Sequence, residues 1–147
     1  MAEFREIVWE RDKDTVKAIC YGCGSAMTRK HYGFLQCIFY YCKQRVGGGG
    51  TTLKAELFGN IGMYVCTAAK DHWRLIQIAL KADCQGKGIG KMLPNRLLLR
   101  MKENGVYRLT FRTSMKEAAL KWWLDNGASI IGTKGQDFEM ELNIKQD

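Results

Sequence analysis

The sequence predicts a fold of the α/β (α+β) class, with helices and strands packed around one hydrophobic core. Two observations support this class. Apolar residues recur at every second position just after residue 51, and at spacings of three and four in segments on either side. The predicted order is ααβββαβαβ, with a short strand-like stretch, REIVW, in front. Because 147 residues suffice for one core but not two, we expect a single domain over residues 1–147.

Two helices are predicted in the first third of the chain. The first covers 12–30, where apolar residues follow helical spacing at Val16, Ile19, Cys20, Cys23 and Met27. The second covers 32–45, and the glycines of the run VGGGG at 46–50 end it. This run predicts a flexible connector between the helices and the strands.

Three strands follow the connector. In the segment TTLKAEL, the apolar residues Leu53, Ala55 and Leu57 alternate with Lys54 and Glu56, which is typical of a half-buried strand. The segments FGNIG and KD predict tight turns, so IGMYVCT at 61–67 and HWRLIQIAL at 72–80 complete two hairpins. The third strand is mostly apolar, and we expect it at the centre of the sheet.

The second half of the chain alternates helices with strands. A helix after residue 89 is predicted from apolar residues at Ile89, Leu93, Leu97 and Met101. Pro94 fits this helix without a lost hydrogen bond only if the helix is kinked or begins late. The segment YRLTFRT predicts a strand, residues 114–127 a helix ended by Gly127, and DFEMELNIK the last strand.

The composition is basic, with a formal net charge of +8. Twelve basic residues lie after position 80, and ten of them fall between 81 and 121: Lys81, Lys87, Lys91, Arg96, Arg100, Lys102, Arg108, Arg112, Lys116 and Lys121. A positive field favours anionic ligands, so phosphorylated cofactors and nucleic acids both fit, while a solvated face explains most of these residues individually. Because no nucleic-acid-binding motif occurs, nucleic acid is the less favoured partner.

The chain has no membrane or secretion signal that we recognise. Its first residues, MAEFREIVWERDKD, lack the apolar stretch of a signal peptide, and no run of 18 apolar residues occurs. We expect a cytoplasmic protein with no membrane partner. The sequence does not determine the oligomeric state and leaves a homodimer open.

Six cysteines raise the question of disulfides or zinc. Cys20 and Cys23 are two residues apart, and Cys37 and Cys42 are four apart, which resembles a zinc-ligand spacing in outline. The second pair, however, lies in an apolar and aromatic segment, where free cysteine packs as a small hydrophobic residue. We therefore expect six reduced thiols and no metal.

The stretch ADCQGKGIGKML at 82–93 predicts an anion site. Gly86, Gly88 and Gly90 leave backbone N–H groups open between a strand and a helix, and the helix dipole adds positive charge. Two better-known phosphate motifs do not match. Met92 follows Gly90-Lys91 where the Walker motif needs serine or threonine, and the dinucleotide fingerprint needs a glycine at 91.

What remains is Q-x-x-G-x-G from Gln85 to Gly90, after a strand that ends in IAL. With the helix behind it, the element order and the AALKWWLDNGA segment, the chain from about Thr51 onward resembles the GCN5-related N-acetyltransferase (GNAT) superfamily. The resemblance implies a mixed, mainly antiparallel central sheet flanked by helices. It also implies acetyl-CoA as cosubstrate, and acetyl transfer to a primary amine of a small molecule or protein by direct attack.

The same resemblance assigns residues to the cofactor. Ile78, Ala79 and Leu80 would contact its arm through the main chain, where two central strands splay apart. The loop would wrap its pyrophosphate with Gln85, Gly86, Lys87, Gly88, Ile89, Gly90 and Lys91. Lys116 falls where relatives often carry asparagine, and Trp123 where they often carry a general-acid tyrosine. Tyr107, Ser114 or a water would then have to deliver the proton, or the thiolate leaves unaided.

Three residues are the candidates for acid-base catalysis: His72, Glu56 and Tyr107, with Asp71 and Glu10 as further carboxylates. Histidine is the residue type best suited to act as a base near neutral pH, although a surface histidine beside a turn is an equal interpretation of His72. The missing tyrosine keeps a second function open, a catalytically weak or silent CoA-binding module. A nucleic-acid-binding protein is a third. The sequence does not identify the amine acceptor.

Overall fold

A computed structural model describes residues 3–44, 52–115 and 118–145. The described strands form one seven-stranded sheet in the order β1-β2-β3-β4-β5-β7-β6. The strands are β1 Phe4–Glu6, β2 Thr52–Phe58, β3 Gly62–Ala68, β4 Trp73–Leu80, β5 Arg108–Ser114, β6 Ser129–Lys134 and β7 Asp137–Asn143. The helices are α1 Trp9–Gly22, α2 Ala26–Gln44, α3 Met92–Glu103 and α4 Ala118–Asp125.

Neighbouring strands pair antiparallel except β4 and β5, which are parallel. The two predicted hairpins are confirmed, and β4 lies at the centre of the sheet as expected. This is the mixed, mainly antiparallel sheet that the sequence resemblance implies. Residues 45–51, which include the predicted glycine connector, lie outside the described residues.

The boundary between the first two helices differs from the prediction of 12–30 and 32–45. Gly24 adopts a positive φ of 83°, which ends the first helical segment before residue 25. Ser25 then begins α2, because its hydroxyl accepts a hydrogen bond from the backbone N–H of Thr28 at 3.2 Å. Apolar spacing continues across this break, so periodicity alone could not locate it.

The strand β6 was missed by the sequence analysis, which placed a single strand after the last helix. It is the edge strand of the sheet, and five of its six residues are exposed. A hairpin turn at Gly135, with a φ of 60°, joins it to β7. An exposed edge strand needs no alternation of apolar and polar residues, so its sequence lacks the pattern that revealed the others.

Helices cover both faces of the sheet. On one face, α1 and α2 bury Val16, Ile19 and Leu35 against Leu57 and Val65. On the other face, α3 and α4 pack through Leu97, Met101 and Trp123 against Tyr64 and Phe111. The helix α3 begins at Met92, so Pro94 lies in its first turn, where the missing N–H has no helical partner to lose. The late start expected from the sequence is thus confirmed.

Candidate active site

The two central strands separate after only two paired positions. Trp73 pairs with Leu109 and Arg74 with Thr110, and the parallel ladder stops there. Arg74 marks this point, because its guanidinium donates to the hydroxyl of Thr110 and forms an ion pair with Glu139 on β7. Beyond Arg74, β4 continues for six residues beside β3 alone, which leaves its other edge open.

A cavity of about 650 Å³ opens where β4 and β5 diverge, and we call it the cleft. Residues 74–78 of β4 and 111–114 of β5 form two of its walls. The others are Asp137, two residues of α4, and the beginning of α2 with the turn before it: Ala119, Trp123, Ser25, Thr28, Lys30, His31 and Phe34. The cleft is large enough for the reacting end of a small molecule.

The glycine-rich loop follows the far end of β4. Gly86 and Gly88 both have a φ of 78°, a conformation that L side chains rarely adopt. Within the described chain, the backbone amides of Gly86, Lys87 and Gly88 donate to no other backbone group. Cys84 and Ile89 hold the loop by packing on the small core cluster around Leu80. The loop thus presents free N–H groups from a fixed base.

Gly90 shows that the loop has room for a ligand. Its φ is not in the left-handed region, and a Cβ there would meet only Leu80 Cδ2, at 4.0 Å. Neither backbone conformation nor packing therefore requires glycine at this position. A ligand that approaches the backbone closely does require it, and a phosphate group at the start of α3 is the kind of ligand this arrangement accepts.

A sequence profile of the Acetyltransferase (GNAT) family matches residues 29–127, which is two thirds of the chain. The chain belongs to the GNAT acetyltransferase family. It is therefore an acyl-CoA-dependent acetyltransferase with acetyl-CoA as cosubstrate. No curated protein sequence matches it significantly.

Solved structures of GNAT proteins share the fold. The PaiA N-acetyltransferase from Thermoplasma acidophilum, solved in complex with coenzyme A, is 19% identical and superposes with a TM-score of 0.75 over 97% of this chain and 99% of that one. A putative GNAT acetyltransferase from Desulfovibrio desulfuricans is 15% identical, with a TM-score of 0.75 over 99% of this chain and 100% of that one. The ribosomal-protein-S18-alanine N-acetyltransferase from Escherichia coli is 17% identical, with a TM-score of 0.72 over 100% of this chain and 96% of that one.

The residues assigned to the GNAT cofactor fall into two groups. Ile78, Ala79 and Leu80 lie on the part of β4 that has lost β5 as a neighbour, and Ile78 also lines the cleft. The seven loop residues from 85 to 91 lie together between β4 and α3. None of these loop residues lines the cleft. A cofactor that contacts both groups would therefore extend along β4 from the cleft to the loop. Lys116 lies outside the described residues.

Gln85 has a role that the motif did not reveal. Its side-chain amide donates to the carbonyl of Leu80 at 2.9 Å and to the carbonyl of Cys23 at 3.1 Å. The first bond closes the loop onto the end of β4, and the second ties it to the end of α1. The side-chain nitrogen of Gln85 therefore fixes the shape of the loop, and its backbone N–H also donates within the chain, to the carbonyl of Ala82 at 3.2 Å.

Glu56 lies on the α3 face of the sheet. Its carboxylate accepts hydrogen bonds from Arg96 at 3.0 and 3.1 Å and from the hydroxyl of Tyr64, with Arg100 at 3.9 Å. Burial would raise the pKa of Glu56, but the hydrogen bonds and charges of these partners outweigh it and hold the pKa below its ordinary value. Burial and this carboxylate together raise the pKa of Tyr64. Glu56 is not among the cleft residues.

His72 and Tyr107 lie at the end of the sheet opposite the glycine loop. His72 comes directly before β4, which starts at Trp73, and Tyr107 comes directly before β5, which starts at Arg108. His72 shares a hydrogen bond of 2.9 Å with exposed Asp71, and the backbone carbonyl of Tyr107 accepts from Ile144. Neither lines the cleft. None of the three sequence candidates is thus among the residues that line the cleft.

Trp123 occupies a wall of the cleft and is almost fully buried. Its ring lies 4.4 Å from that of Phe111 and packs edge-on against Trp122 at 5.0 Å, measured between centroids. This is the residue that the resemblance places where relatives often carry tyrosine. An indole has no proton that titrates near neutral pH, so the residue packs against the cleft without supplying an acid.

Two residues of the cleft were not selected from the sequence. His31 of α2 and Gln77 of β4 share a hydrogen bond of 2.7 Å across the cleft. They are 46 positions apart, and neither lies in a recognisable motif. The helical spacing around His31 was the only available signal, and it does not reveal what a helix faces.

Other groups considered from the sequence are now placed. All six cysteines are free thiols, and the described residues contain no cluster of three potential metal ligands. No described helix has the length and apolar character needed to cross a membrane. Among the basic residues after position 80 that the structure describes, four pair with carboxylates: Arg96, Arg100, Arg108 and Lys121. The positive charge is thus partly neutralised within the fold.

Proposed function

We infer that the protein transfers the acetyl group of acetyl-CoA to a primary amine, by direct attack of the amine within a ternary complex. The observation that carries this inference is the early end of the β4–β5 ladder after Arg74 and Thr110. It opens a cleft in the middle of the sheet, while the glycine loop at the end of β4 offers free amides for phosphate. We further infer that residues 1–147 act as one domain.

The open edge of β4 suits a thioester. Backbone groups between Ile76 and Leu80 have β3 on one side and no strand on the other. An extended cofactor arm could take the place of the missing strand, because it needs the same donors and acceptors as a neighbouring strand. An N–H on that edge would also stabilise the oxyanion that forms when the carbonyl is attacked.

The chemistry requires one proton to leave and one to return. The amine nitrogen attacks the carbonyl carbon, the N–C bond forms, and the C–S bond breaks with its electron pair on sulfur. The amine must lose a proton to a base, and the thiolate gains one from an acid or from water. Because Trp123 supplies no acid, we propose that the thiolate leaves unaided and takes its proton from water.

The loop assignment is tested by thermal melting with acetyl-CoA. At a hundredfold excess over the dissociation constant, acetyl-CoA should stabilise the fold by about 2.7 kcal/mol. Gly90→Asp should abolish this stabilisation, because a carboxylate would repel the phosphates. Gly90→Ala is the matched control for folding, since a Cβ meets nothing closer than 4.0 Å. A melting curve that acetyl-CoA leaves unmoved in the wild type would contradict the proposal.

Turnover is tested by release of the CoA thiol over a panel of amines: polyamines, amino acids, and peptides with a free amino terminus. Trp123 favours one alternative, a GNAT domain that binds CoA but reacts slowly or not at all. That alternative predicts a full thermal shift with no thiol release above hydrolysis for any amine. Steeply salt-dependent binding of DNA or RNA would instead favour the third function, a nucleic-acid-binding protein.

We also propose a cytoplasmic location and leave a homodimer to be tested. The six free thiols suit a reducing compartment. The edge strand β6 exposes Ile130 and Ile131, with 44% and 53% of their surface accessible, and an exposed edge of this kind can pair with a second copy. Light scattering of the wild type and of Ile131→Lys would decide this, because the charge should dissociate a dimer built on β6.

A further inference from the structure

The hydrogen bond between His31 and Gln77 joins α2 to β4 inside the cleft. His31 Nδ1 lies 2.7 Å from Gln77 Oε1, and both residues line the cavity. The imidazole also stacks on Phe34, with 5.0 Å between ring centroids. Within the described chain, Nε2 of the ring has no hydrogen-bond partner. The ring is therefore held on one side and available on the other.

A bulge in β4 brings Gln77 to this face of the sheet. Gln77 pairs with Val65 and Leu75 with Cys66, so Ile76 has no partner on β3. Val65 belongs to the core under α1 and α2, whereas Cys66 belongs to the core under α3. Because the bulge inserts one residue, Gln77 faces α2, and without it regular alternation would turn Gln77 toward α3.

The bonds of Gln77 decide which nitrogen of His31 carries the proton. The amide nitrogen of Gln77 donates to the carbonyl of Ile78 at 3.1 Å, so the amide oxygen is the atom that faces the imidazole. An oxygen of this kind only accepts, which makes Nδ1 the donor. In the neutral ring, Nε2 is then unprotonated and carries the lone pair that a base needs.

We propose that His31 is the general base for the amine, and that Gln77 is a positioning residue that holds its ring in the Nδ1–H tautomer. The proposal rests on the acetyl transfer inferred above. A proton moves from the amine nitrogen to Nε2 as the N–C bond forms, and the C–S bond then breaks with its electron pair on sulfur. The imidazolium returns its proton to water after the product leaves.

The charged surroundings of the ring come from four elements. Lys30 lies next to it on α2, Arg74 and Arg112 line the cleft from β4 and β5, and Asp137 lines it from β7. Arg74 is paired with Glu139. The cleft therefore carries more positive than negative side chains, which favours an acceptor whose amine is accompanied by a carboxylate or phosphate.

The alternative is that the hydrogen bond only fastens α2 to β4. Nitrogen-15 NMR of the tag-free protein separates the two, and needs no acceptor. The chain contains two histidines, so His72→Gln leaves His31 as the sole imidazole. We expect the neutral ring to carry its proton on Nδ1, and Gln77→Leu to shift it toward Nε2. A proton on Nε2 with Gln77 intact would overturn the proposal.

Kinetics test the base itself, with the amine that reacts fastest in the panel. We expect His31→Gln to lower kcat/KM by about 10²-fold or more and to remove the acidic limb of its pH profile. Gln77→Leu should cost less and keep a displaced limb, because the base remains but is no longer oriented. His72→Gln is the matched comparison, since it removes the other histidine from outside the cleft.

The proposed function and the role of His31 are rejected by different results. A wild type that binds acetyl-CoA but acetylates no amine would reject the proposed function. A His31→Gln variant that keeps the wild-type thermal shift, rate and pH profile would reject only the role of His31. A larger loss in His72→Gln than in His31→Gln would return the role to His72.

Discussion

Two polar clusters lie on opposite faces of the same sheet, and they differ in what remains free. On the α3 face, the carboxylate of Glu56 is enclosed by Arg96, Arg100 and Tyr64, and only 4% of the residue is accessible. On the α2 face, His31 lines the cleft, and in the described part of the chain only its Nδ1 has a hydrogen-bond partner, Gln77. The first cluster is closed, and the second is open on one side.

The difference shows why a buried charged residue is a poor guide to catalysis. The Glu56 carboxylate accepts three hydrogen bonds and has a lowered pKa, so it is poorly suited to take a proton from a substrate. A partly buried imidazole with one firm contact keeps that ability. We therefore expect variants of the closed cluster to change stability, and variants of the open pair to change rate.

The largest effect on stability is expected for Glu56→Ala. Removing the carboxylate leaves Arg96 and Arg100 without their partner beside the buried Tyr64 hydroxyl, which should lower the free energy of unfolding by about 3 kcal/mol. Urea denaturation measures it. The acidic limb of kcat/KM should persist in the protein that remains folded. Loss of that limb at unchanged stability would make Glu56 the base, and the closed cluster would then affect rate and not stability.

Sequence patterns predicted the glycine loop and β4 better than the surroundings of Glu56. The glycine loop and β4 could be predicted because their signals are local: a Q-x-x-G-x-G spacing and a run of apolar residues. The alternation of Leu53, Ala55 and Leu57 with Glu56 was also local, but it predicted solvent on the far side, where α3 in fact covers the strand.

The open pair could not be predicted for a different reason. The contact between His31 and Gln77 depends on the bulge at Ile76 and on where α2 lies across the sheet. Both are set by packing between segments far apart in sequence. His72 was preferred from the sequence because it lies beside the central strand, yet it lies at the end where β4 and β5 are still paired.

Asp12 repeats the closed arrangement at the start of α1 and predicts a pH effect. Burial would raise its pKa, but hydrogen bonds from Arg11, the Val8 N–H and Arg5 lower it to about 2. A lowered pKa stabilises the fold above the unfolded value of 3.8, and this contribution is lost as the pH falls from there toward about 2.

We expect Asp12→Asn to cost about 2 kcal/mol at neutral pH, because a charged acceptor of four hydrogen bonds from three residues is lost. The variant should also flatten the fall in stability between pH 4 and pH 2, roughly the interval between the two pKa values. Denaturation curves at a series of pH values check both. An equal pH dependence in both proteins would assign acid unfolding to other carboxylates.

Tyr64→Phe tests whether the closed cluster stays stable without one of the three hydrogen bonds to Glu56. Its hydroxyl donates to Glu56, which also accepts from Arg96. Since the carboxylate keeps its arginine partners and no polar atom is added, we expect a loss of about 1 kcal/mol, well below that of Glu56→Ala. Measured side by side in urea, equal losses for the two variants would mean that the hydroxyl, not the ion pair, holds the cluster together.

The smallest effect is expected on the open side, from Gly33→Ala in α2. Gly33 is exposed within the helix, and a Cβ there would meet no atom within 4 Å. Alanine loses less backbone entropy than glycine on folding, so the variant should gain about 0.7 kcal/mol. Because Gly33 is not among the residues that line the cleft, the substitution should raise the melting temperature while His31 keeps its bond to Gln77. A gain in stability with a marked loss of kcat/KM would mean that movement of α2 is part of the reaction. His31 and Gln77 would then form a mobile pair and not a fixed one.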